Sequence, residues 1–171
     1  MTASLARLLR QSISNEDEVV PLAREVEYAK GYLTIQKMRY KDKLEFEINV
    51  EPSILNIPLI KLVLQPIIEN AIYHGLKYKE SKGLLQVKGF MKDGNAVLQV
   101  IDNGVGMDEE TLSHIYDKHK VNYHSNGVGV YNVQKRLKLY YGENYGITYE
   151  SEKGVGTTAT ITIPGIQEES I

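Results

Sequence analysis

The sequence contains no cysteine and no tryptophan. Without cysteine the chain has no disulfide, no thiolate metal ligand and no cysteine nucleophile, which fits a reducing compartment. Its 20 basic and 22 acidic residues leave a formal net charge of −2, so no excess of positive charge indicates a nucleic-acid partner. Composition thus excludes several kinds of site without indicating a function.

Long apolar runs are also missing from the sequence. No stretch approaches the roughly 20 apolar residues that a membrane-spanning helix needs, and the first residues lack the pattern of a signal peptide. We therefore expect a soluble chain. A length of 171 residues predicts one domain with an appended segment.

Hydrophobic periodicity predicts an α+β fold. Helices are expected at residues 21–41, 58–75, 108–116 and 128–141, and strands at 44–50, 84–90, 96–101, 147–151 and 157–163. Lys92-Asp93-Gly94-Asn95 has the composition of a hairpin turn, and residues 117–126 are expected to form a mobile loop. This order of elements is typical of a two-layer α/β sandwich, with a mixed, mostly antiparallel sheet covered on one face by helices.

The predicted helix over 58–75 has an apolar face and a polar face. At about 100° per residue, the apolar arc contains Leu64, Ile67, Ile68, Ala71 and Ile72, and the polar arc contains Glu69, Asn70, Tyr73 and Lys77. The amide oxygen of Asn70 is a hard ligand that suits magnesium, and the Lys77 ammonium suits a phosphate. An ordinary amphipathic helix with a solvated polar face explains this segment equally well.

Three glycine-containing segments follow the predicted helix. Asp102 ends a strand before Gly104 and Gly106, where a carboxylate can accept a hydrogen bond from an exocyclic amine such as that of adenine, and glycines let backbone approach a flat ring. The segment from Gly127 to Gly129 opens a helix and could bind an anion. Thr157 follows a third Gly-x-Gly and could reach a base or its ordered water. Taken singly, each segment is also compatible with a plain turn.

The order and spacing of the four segments resemble the N, G1, G2 and closing G-x-G-T boxes of the GHKL ATPase superfamily. That superfamily includes histidine kinases, type II topoisomerases, MutL-type repair proteins and heat-shock chaperone ATPases. Within it, the sequence resembles the catalytic domain of LytS-like sensor histidine kinases over about residues 5–164. The phrases that carry this resemblance are Leu64-Gln65-Pro66, Glu69-Asn70-Ala71, His74-Gly75, Gly129-Val130-Tyr131-Asn132-Val133 and Arg39-Tyr40.

The resemblance implies a Bergerat-type fold that uses ATP and Mg2+. Asn70 would hold Mg2+ against the triphosphate through its side-chain oxygen, and Glu69 would polarise the attacking group or a water. Asp102 would receive the adenine amine. The candidate nucleotide-binding residues are Asn70, His74, Lys77, Asp102, Gly104, Gly106, Met107, Gly127, Val128, Gly129 and Thr157.

The histidines of the chain are weaker candidates. His74 and Lys77 could contact phosphate, although packing or helix capping explains His74 equally well. His114, His119 and His124 recur at a spacing of five residues, which places them on no common helical face, so we do not expect them to form a metal site.

One departure from the family pattern concerns the phosphoacceptor. No histidine precedes His74, whereas LytS-like kinases carry an acceptor histidine in an upstream dimerisation segment. We therefore expect residues 1–41 to be the end of that segment and a connecting helix, 42–165 the ATP-binding catalytic domain, and 166–171 a frayed tail. Such a chain should not autophosphorylate alone.

The resemblance also implies partners for the longer parent protein. These are a response regulator and the parent's own phosphoacceptor segment, and we expect a membrane-anchored homodimer whose catalytic domain is cytoplasmic. Two rival hypotheses are a GHKL-type ATPase and a nucleotide-sensing module that binds ATP without transferring phosphate. A structural α/β interaction domain would leave the four boxes as coincidence.

Overall fold

The computed structural model describes residues 19–116 and 127–165. Its helices are α1 (Leu22–Tyr40), α2 (Leu64–Asn70), α3 (Glu109–Ser113) and α4 (Gly127–Tyr141). Its strands are β1 (Val19–Pro21), β2 (Leu44–Val50), β3 (Pro58–Ile60), β4 (Gly83–Lys92), β5 (Asn95–Asp102), β6 (Gly146–Glu152) and β7 (Gly156–Pro164). A π-helical turn, Ala71–Leu76, continues α2.

The main sheet has five strands in the order β2-β4-β5-β7-β6. Strands β2 and β4 run parallel, and the other neighbours pair antiparallel. The predicted mixed, mostly antiparallel sheet is therefore confirmed. Between β4 and β5, Asp93 and Gly94 both have positive φ angles, of 51° and 77°, as a type I′ hairpin turn requires. A second, two-stranded sheet of β1 and β3 was not predicted.

Helices α1, α2 and α4 pack on one face of the main sheet, which confirms the two-layer sandwich. The predicted apolar arc of the central helix is buried in the core, at Leu64, Ile67, Ile68, Ala71 and Ile72. Leu22, Ala29 and Leu33 of α1 belong to the same core cluster. The helix predicted as a connector thus contributes to the core, while the domain boundary at residue 41 stays a prediction.

The predicted start of the central helix at Pro58 is wrong. Pro58 begins β3, which pairs with β1, and the helix begins only at Leu64. Between them Leu62 has a φ of 61°, a left-handed conformation that interrupts any regular helix. Proline fits both a first helical turn and the first residue of a strand, so it does not distinguish the two.

The N-terminus of α2 is capped from another helix. The Glu25 carboxylate of α1, only 3% exposed, accepts the backbone N–H groups of Leu62, Val63 and Leu64 at 2.7, 2.9 and 3.1 Å. These are donors that the first turn of a helix leaves without an intrahelical acceptor. Glu25 thus determines where α2 begins, from a position 37 to 39 residues earlier in the chain.

Other elements agree with the sequence prediction to within a few residues. The helix predicted at 108–116 is shorter, since α3 covers Glu109–Ser113, and the Asp108 carboxylate caps it by accepting the Thr111 N–H at 2.8 Å. The loop predicted at 117–126, the apolar cluster near the N-terminus and the tail lie outside the described residues. Within 19–116 and 127–165, no helix combines the length and hydrophobicity needed to cross a bilayer.

Candidate functional site

A small cavity lies between the C-terminal end of α2 and the inner face of β5, β6 and β7. Six of the predicted site residues line it: Asn70, His74, Asp102, Gly106, Met107 and Thr157. The remaining wall is mostly apolar. The cavity volume of about 30 Å³ admits water.

Asp102 is the buried acid of this cavity. It is the last residue of β5 and 5% exposed, and its Oδ1 accepts the Gly104 N–H at 2.8 Å. Burial raises the pKa of Asp102 to about 6, although hydrogen bonds from the backbone N–H groups of Gly104 and Thr157 and the charge of Lys79 favour the ionised form. The carboxylate is therefore mainly ionised at pH 7 and protonated at pH 5.

The glycines around Asp102 allow close contact between backbone segments. A Cβ on Gly75 would lie 2.6 Å from Asp102 Oδ1, and one on Gly104 would lie 2.3 Å from the Gly75 carbonyl oxygen. Gly106 has a φ of +66°, and its Cβ would lie 2.0 Å from the Glu152 carbonyl oxygen. We predicted that Gly104 and Gly106 admit a flat ring, but Gly104 is in contact with the π-helical turn and does not line the cavity.

Ser151 links two residues of the cavity lining, Met107 and Thr157, to Gly156, although sequence reasoning missed it. Its hydroxyl oxygen accepts the Met107 N–H at 2.8 Å and lies 2.8 Å from the Thr157 hydroxyl. The Ser151 hydroxyl also donates to the Gly156 carbonyl at 3.0 Å. The alternation of β6 could have revealed it, because residues two apart on a strand share a face.

Asn70 and His74 lie on either side of the transition from α-helix to π-helix. Such wider turns occur often at functional sites. The pKa of His74 is lowered, mainly because the cavity wall partly desolvates its ring and also because the Lys77 ammonium lies near. The imidazole is therefore mostly neutral at neutral pH.

Two predicted residues, Glu69 of α2 and Lys77 just after the π-helical turn, lie outside the cavity lining. Lys77 Nζ is 4.6 Å from the centroid of the Tyr73 ring and lines a separate cleft. The Glu69 carboxylate accepts a hydrogen bond from Gln65 Nε2 at 3.0 Å. Burial raises the pKa of Tyr32 in α1, and the negative charge of Glu69 raises it further. Glu69 thus faces towards α1 rather than into the cavity.

The predicted anion-binding segment forms the first turn of α4, which begins at Gly127 and includes Val128 and Gly129. A Cβ on Gly129 would lie 3.4 Å from Pro66 Cβ, so this turn lies close to the start of α2. Further along α4, Gln134 accepts the Ile147 N–H at 2.7 Å and donates to the Ile147 carbonyl at 3.2 Å. These bonds fix α4 to β6.

Two family models match the chain, one near its N-terminus and one over most of the remainder. Residues 56–167 match the family described as histidine kinase-, DNA gyrase B-, and HSP90-like ATPase, and residues 1–44 match the family described as histidine kinase.

Two curated relatives cover most of the chain. Sensor histidine kinase YesM of Bacillus subtilis is 32% identical over 164 residues, which is 96% of this chain and 27% of that protein. Sensor protein LytS of Oceanobacillus iheyensis is 34% identical over 143 residues, or 82% of this chain and 24% of that protein. The chain therefore spans about a quarter of the length of these relatives.

Solved structures share the fold. The catalytic domain of histidine kinase ThkA superposes with a TM-score of 0.66 at 14% identity, covering 87% of this chain and 99% of that chain. The histidine kinase domain of a blue-light activated kinase from Erythrobacter litoralis gives a TM-score of 0.59 at 17% identity, covering 86% and 63%.

Proposed function

Since this chain belongs to the histidine kinase-, DNA gyrase B- and HSP90-like ATPases, we propose that it is the ATP-binding catalytic domain of a two-component sensor histidine kinase. The observation that carries the proposal is that Asn70, Asp102 and Thr157, which are far apart in the sequence, line one cavity. The similarity to the sensor kinases YesM and LytS supports it.

The base of ATP would bind at the buried end of the cavity. An ionised Asp102 carboxylate accepts a hydrogen bond from the exocyclic amine of adenine, and a bond to an ionised group is stronger than one between neutral groups. Thr157 lies beside Asp102 in the sheet register, so its hydroxyl can hold the base or a water bound to it. The flexible side chain of Met107 is suited to move aside for the ring.

The triphosphate and Mg2+ would lie at the open end. Among the described residues, no group of three or more acidic or histidine side chains could hold a metal ion. Asn70 would therefore supply the protein's oxygen ligand, and phosphate and water oxygens the others, as is usual for Mg2+. The ion would neutralise charge on the phosphates. The first turn of α4, at Gly127 and Gly129, would donate N–H groups to them. His74 lines the cavity and would lie near them, whereas Lys77 would have to leave its separate cleft to reach them.

The reaction would transfer the γ-phosphoryl group to a histidine in the parent protein. An imidazole nitrogen forms a bond to the γ-phosphorus, the bond from that phosphorus to the β–γ bridging oxygen breaks, ADP leaves, and the imidazole loses a proton. Such transfer needs mainly positioning and neutralisation of charge. Glu69 would polarise the acceptor imidazole when the helix that carries the acceptor histidine lies against α2 at this residue. A response regulator would then receive the phosphate, and the parent would be a membrane-anchored homodimer with this domain in the cytoplasm.

One observation favours a second candidate, a module that binds ATP without transferring its phosphate. Glu69 lies outside the cavity lining and is hydrogen-bonded to Gln65, so the proposed catalytic carboxylate would have to be reoriented. A GHKL-type ATPase is the third hypothesis, in which water replaces the histidine as acceptor.

Calorimetric titration with ATP, with and without Mg2+, tests the binding site. We expect Asp102→Asn to lose measurable binding, because the amide would place a donor opposite the adenine amine. Asp93→Asn, in the exposed hairpin turn, is the matched control and should bind normally. Unchanged affinity in Asp102→Asn would refute the adenine assignment.

Transfer is tested separately by extending the chain upstream until it contains an acceptor histidine. Incubation with ATP labelled on the γ-phosphate should then give an acid-labile phosphohistidine. Tight ATP binding without label would refute the kinase and favour the sensing module. Release of inorganic phosphate instead of labelled protein would favour the ATPase.

A further inference from the structure

Tyr149 is a cavity residue for which the proposed function gives no role. It lies on β6 opposite Ala159 of β7, and both side chains line the cavity together with Asp102. Its hydroxyl is buried, and no atom of the described residues forms a hydrogen bond with it. A buried hydroxyl without a partner is costly, so the position of this group calls for an explanation.

The ring of Tyr149 is held in place by neighbours that leave its hydroxyl unpaired. Tyr116 packs against it edge to face, with ring centroids 6.0 Å apart. The Tyr116 hydroxyl donates to the Ile147 carbonyl, which fixes Tyr116 to the same strand. The side chain therefore has little freedom to turn its hydroxyl towards another acceptor.

Burial and the neighbouring groups keep the Tyr149 hydroxyl protonated. Burial raises the pKa of Tyr149, and the nearby Tyr116 and the negative charge of Asp102 raise it further. The group therefore offers a hydrogen-bond donor at any physiological pH. Tyr149, which carries this donor, and Asp102, which carries an acceptor, thus line the same small cavity.

We propose that Tyr149 is a specificity-determining residue of the nucleotide site, whose hydroxyl donates a hydrogen bond to a ring nitrogen of adenine. This inference rests on the proposed ATP binding. In adenine the exocyclic amine is a donor and the neighbouring ring nitrogens N1 and N7 are acceptors, which matches an Asp102 acceptor and a Tyr149 donor. In guanine the oxygen on C6 would face the Asp102 carboxylate, so that contact would not form. Guanine N1 carries a hydrogen and cannot accept from Tyr149, whereas N7 accepts in both bases, so Tyr149 itself selects against guanine through N1.

Tyr149→Phe tests this role because it removes only the hydroxyl. We expect ATP affinity to fall by about tenfold, the usual effect of one lost hydrogen bond. Without nucleotide, the variant should resist urea at least as well as the wild type, since no bond of the free protein is lost. Tyr140→Phe, on the exposed part of α4, makes the same chemical change away from the cavity and should bind ATP normally.

ATP analogues identify the contacted nitrogen. In the wild type, either 1-deaza-ATP or 7-deaza-ATP should bind about tenfold more weakly than ATP, and this loss should disappear in Tyr149→Phe. The proposal is overturned if Tyr149→Phe binds ATP as well as the wild type, or if its loss is the same for ATP and for both analogues. If Asp102→Asn also binds ATP normally, the proposed function fails; if Asp102→Asn alone loses binding, only the role of Tyr149 fails.

Discussion

The buried Asp102 carboxylate should make the stability of the nucleotide-free protein depend on pH. Its pKa rises from the ordinary 3.8 to about 6 in the folded state, chiefly through burial. A raised pKa in the folded state means that the protonated form stabilises the fold. This contribution is fully present below pH 3.8 and is lost as the pH rises through about 6.

The size of the effect follows from the two pKa values. At about 1.4 kcal/mol per pKa unit, the difference between 3.8 and 6 corresponds to about 3 kcal/mol of unfolding free energy. Asp102 is 5% exposed, so solvent screening reduces this figure little. The ionised acid therefore destabilises the free protein at pH 7, and a hydrogen bond from an adenine amine would offset part of that cost.

Asp102→Asn isolates this contribution because the amide does not titrate. We would measure urea unfolding of both proteins from pH 4 to pH 8 and subtract the two free energies at each pH. The unfolding free energy of Asp102→Asn relative to the wild type should rise by about 2.5 kcal/mol across this range, mostly between pH 4 and pH 7. Asp93→Asn, which removes a carboxylate from the exposed hairpin turn, is the control. It shows whether the effect belongs to Asp102 or follows the loss of any carboxylate.

A flat difference between Asp102→Asn and the wild type would refute this reasoning. A difference that falls as the pH rises would refute it more strongly, because it would mean that the fold stabilises the ionised carboxylate. In either case burial of the ionised Asp102 carboxylate would carry no cost in the free protein, so a hydrogen bond from adenine would have none to offset. The affinity of the wild type for ATP should weaken below about pH 6, where the carboxylate takes up a proton.

Three further predictions concern the packing around the site. Glu25→Ala should lower the unfolding free energy by about 3 kcal/mol, because it leaves buried N–H donors without an acceptor. Glu25→Gln should lower it less. Equal stability of the alanine variant and the wild type would exclude the capping role. Gly75→Ala should abolish ATP binding in calorimetry, since its Cβ would lie 2.6 Å from Asp102 Oδ1. As a control, Gly31→Ala in α1 adds a Cβ with nothing within 4 Å, and its unfolding free energy in urea should rise by about 0.5–1 kcal/mol. Normal binding by Gly75→Ala would contradict this. Ser151→Ala should weaken ATP binding about tenfold and lower stability by about 1 kcal/mol, and a variant with unchanged affinity would show that Ser151 does not organise the wall.

The agreement between sequence and structure is best where the pattern is local. Strand β2 alternates strictly over residues 44–50, and the structure gives Leu44–Val50. The hairpin at Asp93-Gly94 and helix α4 were also predicted correctly, because turn residues and apolar spacing act within a few positions. The start of α2 was predicted incorrectly, because the carboxylate that caps it belongs to Glu25 of another helix.

In the candidate site, too, residues in short local motifs were predicted and residues whose role depends on distant segments were not. Asp102, Asn70 and Thr157 were identified from short motifs, and the structure places them around one cavity. Ser151 and Tyr149 were missed, because their roles depend on which strands lie side by side. Glu69 and Lys77 share the predicted polar arc with Asn70, yet neither lines the cavity. Glu69 pairs with Gln65 within α2, and Lys77 follows the π-helical turn, which changes the spacing that the arc assumed.

By itself, the sequence determined the five strands of the main sheet and the helices between them, the hairpin turn and the family resemblance, since each depends on residues that are close along the chain. Only the tertiary structure decided that Glu25 caps α2, that Gly104 packs against Gly75, and that Tyr149, whose hydroxyl is buried and unpaired, lines the same cavity as Asp102. The physical reason is that burial, hydrogen-bond partners and pKa values depend on neighbours in space, and those neighbours come from distant parts of the chain.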